Sequence, residues 1–168
     1  MKIKSDEPAA IAARFLDARR QASGLHDYPG TMPASLDQAY SIQDKAVSAW
    51  DQPIVGWKVG RVPEPFASRF ETNRLAGPIF STTLAANGAF PEMPVFAEGF
   101  AAAEAEFLLR IGATPPAGQS RFSLEETADL IDAVHVGIEV ASSPLRTINE
   151  LGPVAVVSDF GNNNGLLI

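Results

Sequence analysis

The sequence predicts an α+β protein, with a helical N-terminal lobe over residues 1–52 and a strand-rich portion over residues 53–168. Two early segments repeat apolar residues at helical spacing. From Pro53 onward the chain changes to short apolar runs separated by Pro/Gly loops, the pattern of strands. Finally, A-E-A-E-F (103–107) alternates strictly, and a period of two belongs to a strand.

The elements follow in order. Residues 5–21 read as an amphipathic helix, with Ile11, Phe15 and Ala18 on one stripe and Arg14, Arg19 and Arg20 elsewhere. Gly24, Pro29, Gly30 and Pro33 mark a loop. Ser35 opens a second helix, with Gln38 three residues on as a capping box; Ala39, Ile42, Ala46 and Ala49 form its stripe, and it ends near Trp50. I-V-G-W-K-V-G (54–60) is a strand, residues 65–70 a short helical or loop piece, and L-A-G-P-I-F (75–80) a loop leading into extended structure. Residues 94–100 and 103–111 are extended segments, separated from a third helix by a Pro/Gly loop over residues 114–118. Ser123 and Glu126 cap that helix, whose apolar members are Leu124, Ala128, Ile131 and Ala133. Residues 134–140 and 154–157 read as strands, and D-F-G-N-N-N-G (159–165) is turn-rich and suits an active-site loop. The final G-L-L-I reads as the start of another buried strand, so the expectation is a fold that continues further or is completed by a partner.

Composition narrows the function. A chain of 168 residues, 46% hydrophobic and 20% charged, is ordinary for one globular domain. A net charge of −7 argues against nucleic acid and anionic membrane surfaces, which need a basic footprint. Without cysteine there is no disulfide, thiolate zinc site or cysteine nucleophile. No apolar run is long enough for a bilayer, and M-K-I-K-S-D-E lacks the apolar stretch of a signal peptide, so the expected location is cytoplasmic.

Three acidic residues stand out. Glu104 and Glu106 project from one strand face, while Ala103, Ala105, Phe107 and Leu109 on the other read as core. Two adjacent carboxylates repel and resist burial, and a hard divalent cation would relieve both. Glu139, apolar-flanked in V-H-V-G-I-E-V, can supply a third oxygen ligand. The same E-x-E pattern also suits a solvated sheet face. Lys58 shares its face with Gly56 and Gly60, which leaves room for a ligand; it suits carboxylate binding or proton transfer, or simple snorkelling from a sheet edge. His135 suits a metal ligand or its support, or a core histidine, and His26 a lid or a plain surface residue. Asp159 can orient Lys58 or a water, or cap a turn. No G-x-S-x-G, P-loop or G-x-G-x-x-G is present.

Together, I-V-G-W-K-V-G (54–60), L-A-G-P-I-F (75–80), A-E-A-E-F (103–107), G-I-E-V (137–140) and S-D-F-G-N-N-N-G (158–165), with A-Y-S-I-Q (39–43), resemble the 2-keto-4-pentenoate hydratase family of the fumarylacetoacetate hydrolase superfamily. The resemblance implies a mixed β-sandwich or roll with a helical N-terminal lobe. It implies Mg²⁺ or Mn²⁺ on Glu104, Glu106 and Glu139, catalytic roles for Lys58 and Asp159, and substrate contacts from Lys58, Leu75 and Asn162. The implied reaction is water addition to 2-hydroxypenta-2,4-dienoate in aromatic catabolism. Decarboxylation of 2-oxo-3-hexenedioate, acylpyruvate-type hydrolysis, and a non-catalytic partner subunit are the alternatives. The implied partners are a small 2-oxo acid, other copies of the chain, or a related decarboxylase or hydratase subunit. The chain departs from the family at Leu75, where many hydratases carry an acidic residue, and in lacking the family's C-terminal portion.

Overall fold

A computed structural model describes residues 7–70, 72–85 and 92–168. The expected helix start at Ser5 lies outside the described residues. Helix α1 (Glu7–Arg20) buries Ile11, Phe15 and Ala18, and α2 (Leu36–Ala49) buries Ala39, Ile42 and Ala46. Ala49, expected on the buried stripe, is exposed in the last turn. At the start of α2, Ser35 Oγ accepts from the Gln38 N–H, while Gln38 Oε1 accepts from the Ala34 N–H. The cap therefore closes one residue earlier than a standard capping box.

The two helices pack on each other, and α2 packs against α4 (Pro153–Ser158), a helix that corrects the strand expected over residues 154–157. Gly152, at φ 86°, turns the chain, and Pro153 occupies the first helical turn, where its missing N–H costs nothing. A run buried on every side carries no periodicity to separate helix from strand. The core joins Phe15 and Ile42 to Phe80, Ile148, Val157 and Phe160, so it draws on both sides of residues 52 and 53.

Two sheets complete the fold. Strand β1 (Ile54–Arg61) pairs antiparallel with β2 (Arg74–Phe80), which is extended throughout where a loop leading into extended structure was expected. Gly and Pro weaken the strand signal, but among the described residues β2 has one strand partner, so Pro78 interrupts no central ladder there. Gly77 permits a close backbone approach, because a side chain there would collide with the Phe160 carbonyl. The second sheet runs β3 (Leu84–Ala85), β6 (Asn163–Leu167), β5 (Ile131–Ser143) and β4 (Phe100–Ile111), antiparallel except for β3 with β6. The final apolar run thus forms a strand, as expected.

Two further expectations change. Helix α3 (Leu124–Asp129) has its full capping box but buries nothing; Leu124 is exposed, and Ile131 and Ala133 belong to β5. Residues 94–99 are irregular, and the strand begins at Phe100. The larger correction concerns the face of β4 read as core. Ala103, Ala105, Phe107 and Leu109 are exposed, Phe107 by 80%. Val134, Val136 and Ile138 of β5 and Val55, Trp57 and Val59 of β1 are exposed too. Alternation establishes which side chains share a face, not what covers it.

Candidate metal centre

The β4–β5 register sets Glu104 directly opposite Glu139, with Glu106 opposite Gly137 on the same face. Ligating oxygens of Glu104, Glu106 and Glu139 lie within 4.8 Å of one another. Glu139 is buried, Glu104 half-buried and Glu106 exposed, so the group opens outward at one side. Burial pushes the Glu104 carboxyl above the ordinary carboxylate value; Lys58 opposes this, while Glu139 and Glu106 add to it. The Lys58 Nζ lies 3.3 Å from Glu139 Oε1. One ammonium against three carboxylates leaves negative charge in excess. A hard divalent cation suits this all-oxygen set in charge and ligand type.

Lys58 is held from the other side by Asn162, whose Oδ1 accepts from Nζ at 3.1 Å. The Asn162 amide in turn donates to Asn149 Oδ1 at 3.4 Å. The open space expected at Gly56 and Gly60 is instead met by β2 side chains, Ile79 over Gly56 and Leu75 over Gly60. Leu75, buried opposite Gly60, joins Lys58, Glu104, Asn149, Val156 and Asn162 around a cavity of about 220 Å³. A wider cleft of about 640 Å³ meets Lys58, Glu106, Glu139 and His135 and runs out along Trp57 and Phe107. The structure therefore brings Lys58, Leu75, Asn162 and the three glutamates into one neighbourhood.

Asp159 is placed differently from expectation as a partner of Lys58. Its Oδ1 is 2.6 Å from Arg19 Nε, and its Oδ2 accepts from Ser143 Oγ at 2.6 Å. With both oxygens engaged, Asp159 anchors its segment, and Asn162 orients Lys58 instead. His135 lines the wider cleft outside the acidic trio. His26 is exposed and paired with its neighbour Asp27 at 2.9 Å. Three residues at the site escaped sequence reasoning: Asn163, Asn149 and Arg19. Asn163 donates to Glu139 Oε1 at 2.9 Å. The N-N-N run was its one visible signal; nothing in sequence ties Arg19 to residues 140 positions away.

No family model and no curated protein matches the chain. Solved structures do. The chain is similar to 4-oxalocrotonate decarboxylase from Pseudomonas putida G7 complexed with calcium and acetate, at TM-score 0.71 and 19% identity. It is similar also to that enzyme complexed with magnesium and adipate, at TM-score 0.72 and 19% identity. Each match covers 99% of this chain, which spans only 62% and 63% of the respective matched chains. The shared fold is the mixed β-sandwich or roll of the fumarylacetoacetate hydrolase type, with its helical N-terminal lobe. Among the described residues, no helix is long and apolar enough to cross a membrane.

Proposed function

We propose that this chain belongs to a divalent-metal-dependent enzyme acting on 2-oxo acids from aromatic-compound breakdown. Glu104, Glu106 and Glu139 would hold Mg²⁺ or Mn²⁺. The supporting observation is the convergence of the three carboxylates beside Lys58. When bound, such a cation supplies Lewis-acid stabilisation of negative charge on the substrate's 2-oxo oxygen. Lys58 binds the substrate carboxylate or carries a proton, and Asn162 fixes the direction of its ammonium. Leu75 gives the smaller cavity an apolar wall.

Of the lyase reactions, decarboxylation of 2-oxo-3-hexenedioate has more support than water addition. Leu75 offers no carboxyl for proton delivery beside Lys58. A similar structure, a decarboxylase, is complexed with adipate, a six-carbon dicarboxylate like that substrate. Assembly with another copy or a related subunit belongs to the same proposal, and the exposed outer faces of β1, β4 and β5 are the surface available for it.

The test gives the protein 2-oxo-3-hexenedioate or 2-hydroxypenta-2,4-dienoate with Mg²⁺ or Mn²⁺ and follows loss of ultraviolet absorbance. Glu106→Gln is expected to weaken metal binding and reduce turnover at least tenfold; retention of both refutes the ligand set. Lys58→Met is expected to slow turnover with metal still bound, and an unchanged rate removes Lys58 from the reaction.

A further inference from the structure

Arg19 closes α1, far in sequence from the metal centre, yet its side chain is only 5% exposed. Its guanidinium makes contacts along one short stretch. Nε donates to Asp159 Oδ1 at 2.6 Å, and Nη2 to the Asp159 carbonyl at 3.3 Å. Nη1 donates to the Asn163 carbonyl and to Asn164 Oδ1, both at 3.2 Å. Nη2 also reaches the Ser142 carbonyl of β5 at 3.4 Å, and the Phe160 ring centre lies 5.0 Å from the guanidinium carbon. A planar fork can satisfy this many acceptors at once; an ammonium cannot.

The gripped stretch holds the site. Phe160, Gly161 and Asn162 have φ of 56°, 64° and 57°. Three consecutive left-handed residues, one a phenylalanine, persist only where their surroundings hold them. From this stretch Asn162 accepts from Lys58, and Asn163 donates to Glu139. Lys58 and Asn163 both meet Glu139 at Oε1, while Oε2 has no such contact from either.

We propose that Arg19 and Asn163 are positioning residues of the metal centre: Arg19 locks residues 159–164, and Asn163 then holds the Glu139 carboxylate by Oε1, fixing its orientation beside Glu104 and Glu106. This rests on the metal-binding reading above. A purely structural role for the buried Arg19–Asp159 pair would leave metal affinity unchanged in any variant that folds. A positioning role would not, because partners behind a ligand typically change metal affinity about 10–100-fold.

The experiment titrates Mn²⁺ into the purified protein by calorimetry and records melting of the metal-free form. Asn163→Leu keeps the side chain's approximate shape and removes its donor. It is expected to weaken Mn²⁺ binding by about 10–100-fold while the metal-free form still melts cooperatively. Arg19→Lys keeps the charge and loses the fork, and is expected to weaken binding in the same direction; it decides the matter if Asn163→Leu does not fold. Tyr28→Phe removes a hydroxyl that bonds Ser158 Oγ at 2.9 Å in the same core but touches no ligand, so its Mn²⁺ affinity should match the wild type. If the wild type binds Mn²⁺ and the folded Asn163 and Arg19 variants bind it equally well, the positioning roles are overturned and the metal centre stands. Equal losses in all three variants also overturn them. If the wild type binds no Mn²⁺, the metal-binding reading fails, and the positioning roles with it.

Discussion

Helix α4 and the outward row of β4 are both apolar in sequence, yet their surroundings differ completely. Every residue of α4 is buried, whereas Phe107 and Leu109 are 80% and 57% exposed. Strand β5 crosses from one condition to the other. Its first half alternates between half-buried and exposed side chains, and from Val140 to its end every residue is buried. Glu139 sits at that crossing. The site therefore lies on a boundary: the packed half supplies the rigid residues 159–164, and the open half supplies β4 with Glu104 and Glu106. Apolar side chains make burial favourable, but which ones obtain it depends on the segments placed over them.

Three substitutions can break or sharpen this contrast. The largest effect is expected from Asp159→Ala in the packed half, which leaves the Arg19 guanidinium buried without its carboxylate. A loss of about 3–5 kcal/mol in chemical denaturation is expected; a loss below about 1 kcal/mol would show that water reaches this pair.

Next comes Tyr28→Phe, with an expected loss of about 1 kcal/mol for one net hydrogen bond. It also carries a pH signature. Burial, the main cause, pushes the Tyr28 hydroxyl from 10.0 up to about 12. The folded state thus holds this proton more tightly than the unfolded chain does. That contribution is fully present below pH 10.0 and is lost as pH rises toward about 12. Denaturation midpoints measured across this range should fall more steeply for the wild type than for Tyr28→Phe, and identical slopes would place the hydroxyl in water.

The smallest effect on stability belongs to the open half. Phe107→Ser is expected to change it by no more than about 0.5 kcal/mol in chemical denaturation. A loss of several kcal/mol would mean that this face is covered in solution and the contrast disappears.

Much of the site was legible because its signals are local. Glu104 and Glu106 share a face by the period of two, whereas the open space read from Gly56 and Gly60 is met by Ile79 and Leu75 of the paired strand. Glu139 stood out because apolar neighbours isolate it. Asp159 was legible as a polar turn residue after an apolar run, but not in its partner. Arg19 and Lys58 are both remote from it along the chain, and packing of α1 made the choice. Residues 154–157 were misread, and so was the loop expected at the start of residues 75–80, for opposite reasons. The first run is too uniformly apolar to show a period, and the second is a strand despite Gly77 and Pro78 because of its neighbours.

The sequence by itself determined the two N-terminal helices, the alternating strands, and the oxygen-rich set of Glu104, Glu106 and Glu139 with Lys58. These depend on spacing along the backbone, which a string of residues displays. Only the tertiary structure decided that Arg19 grips residues 159–164, that Asn163 reaches Glu139, and that the outer rows of β1, β4 and β5 are open to solvent. Those are contacts between segments distant in the chain, and their geometry exists only once helices and sheets have packed.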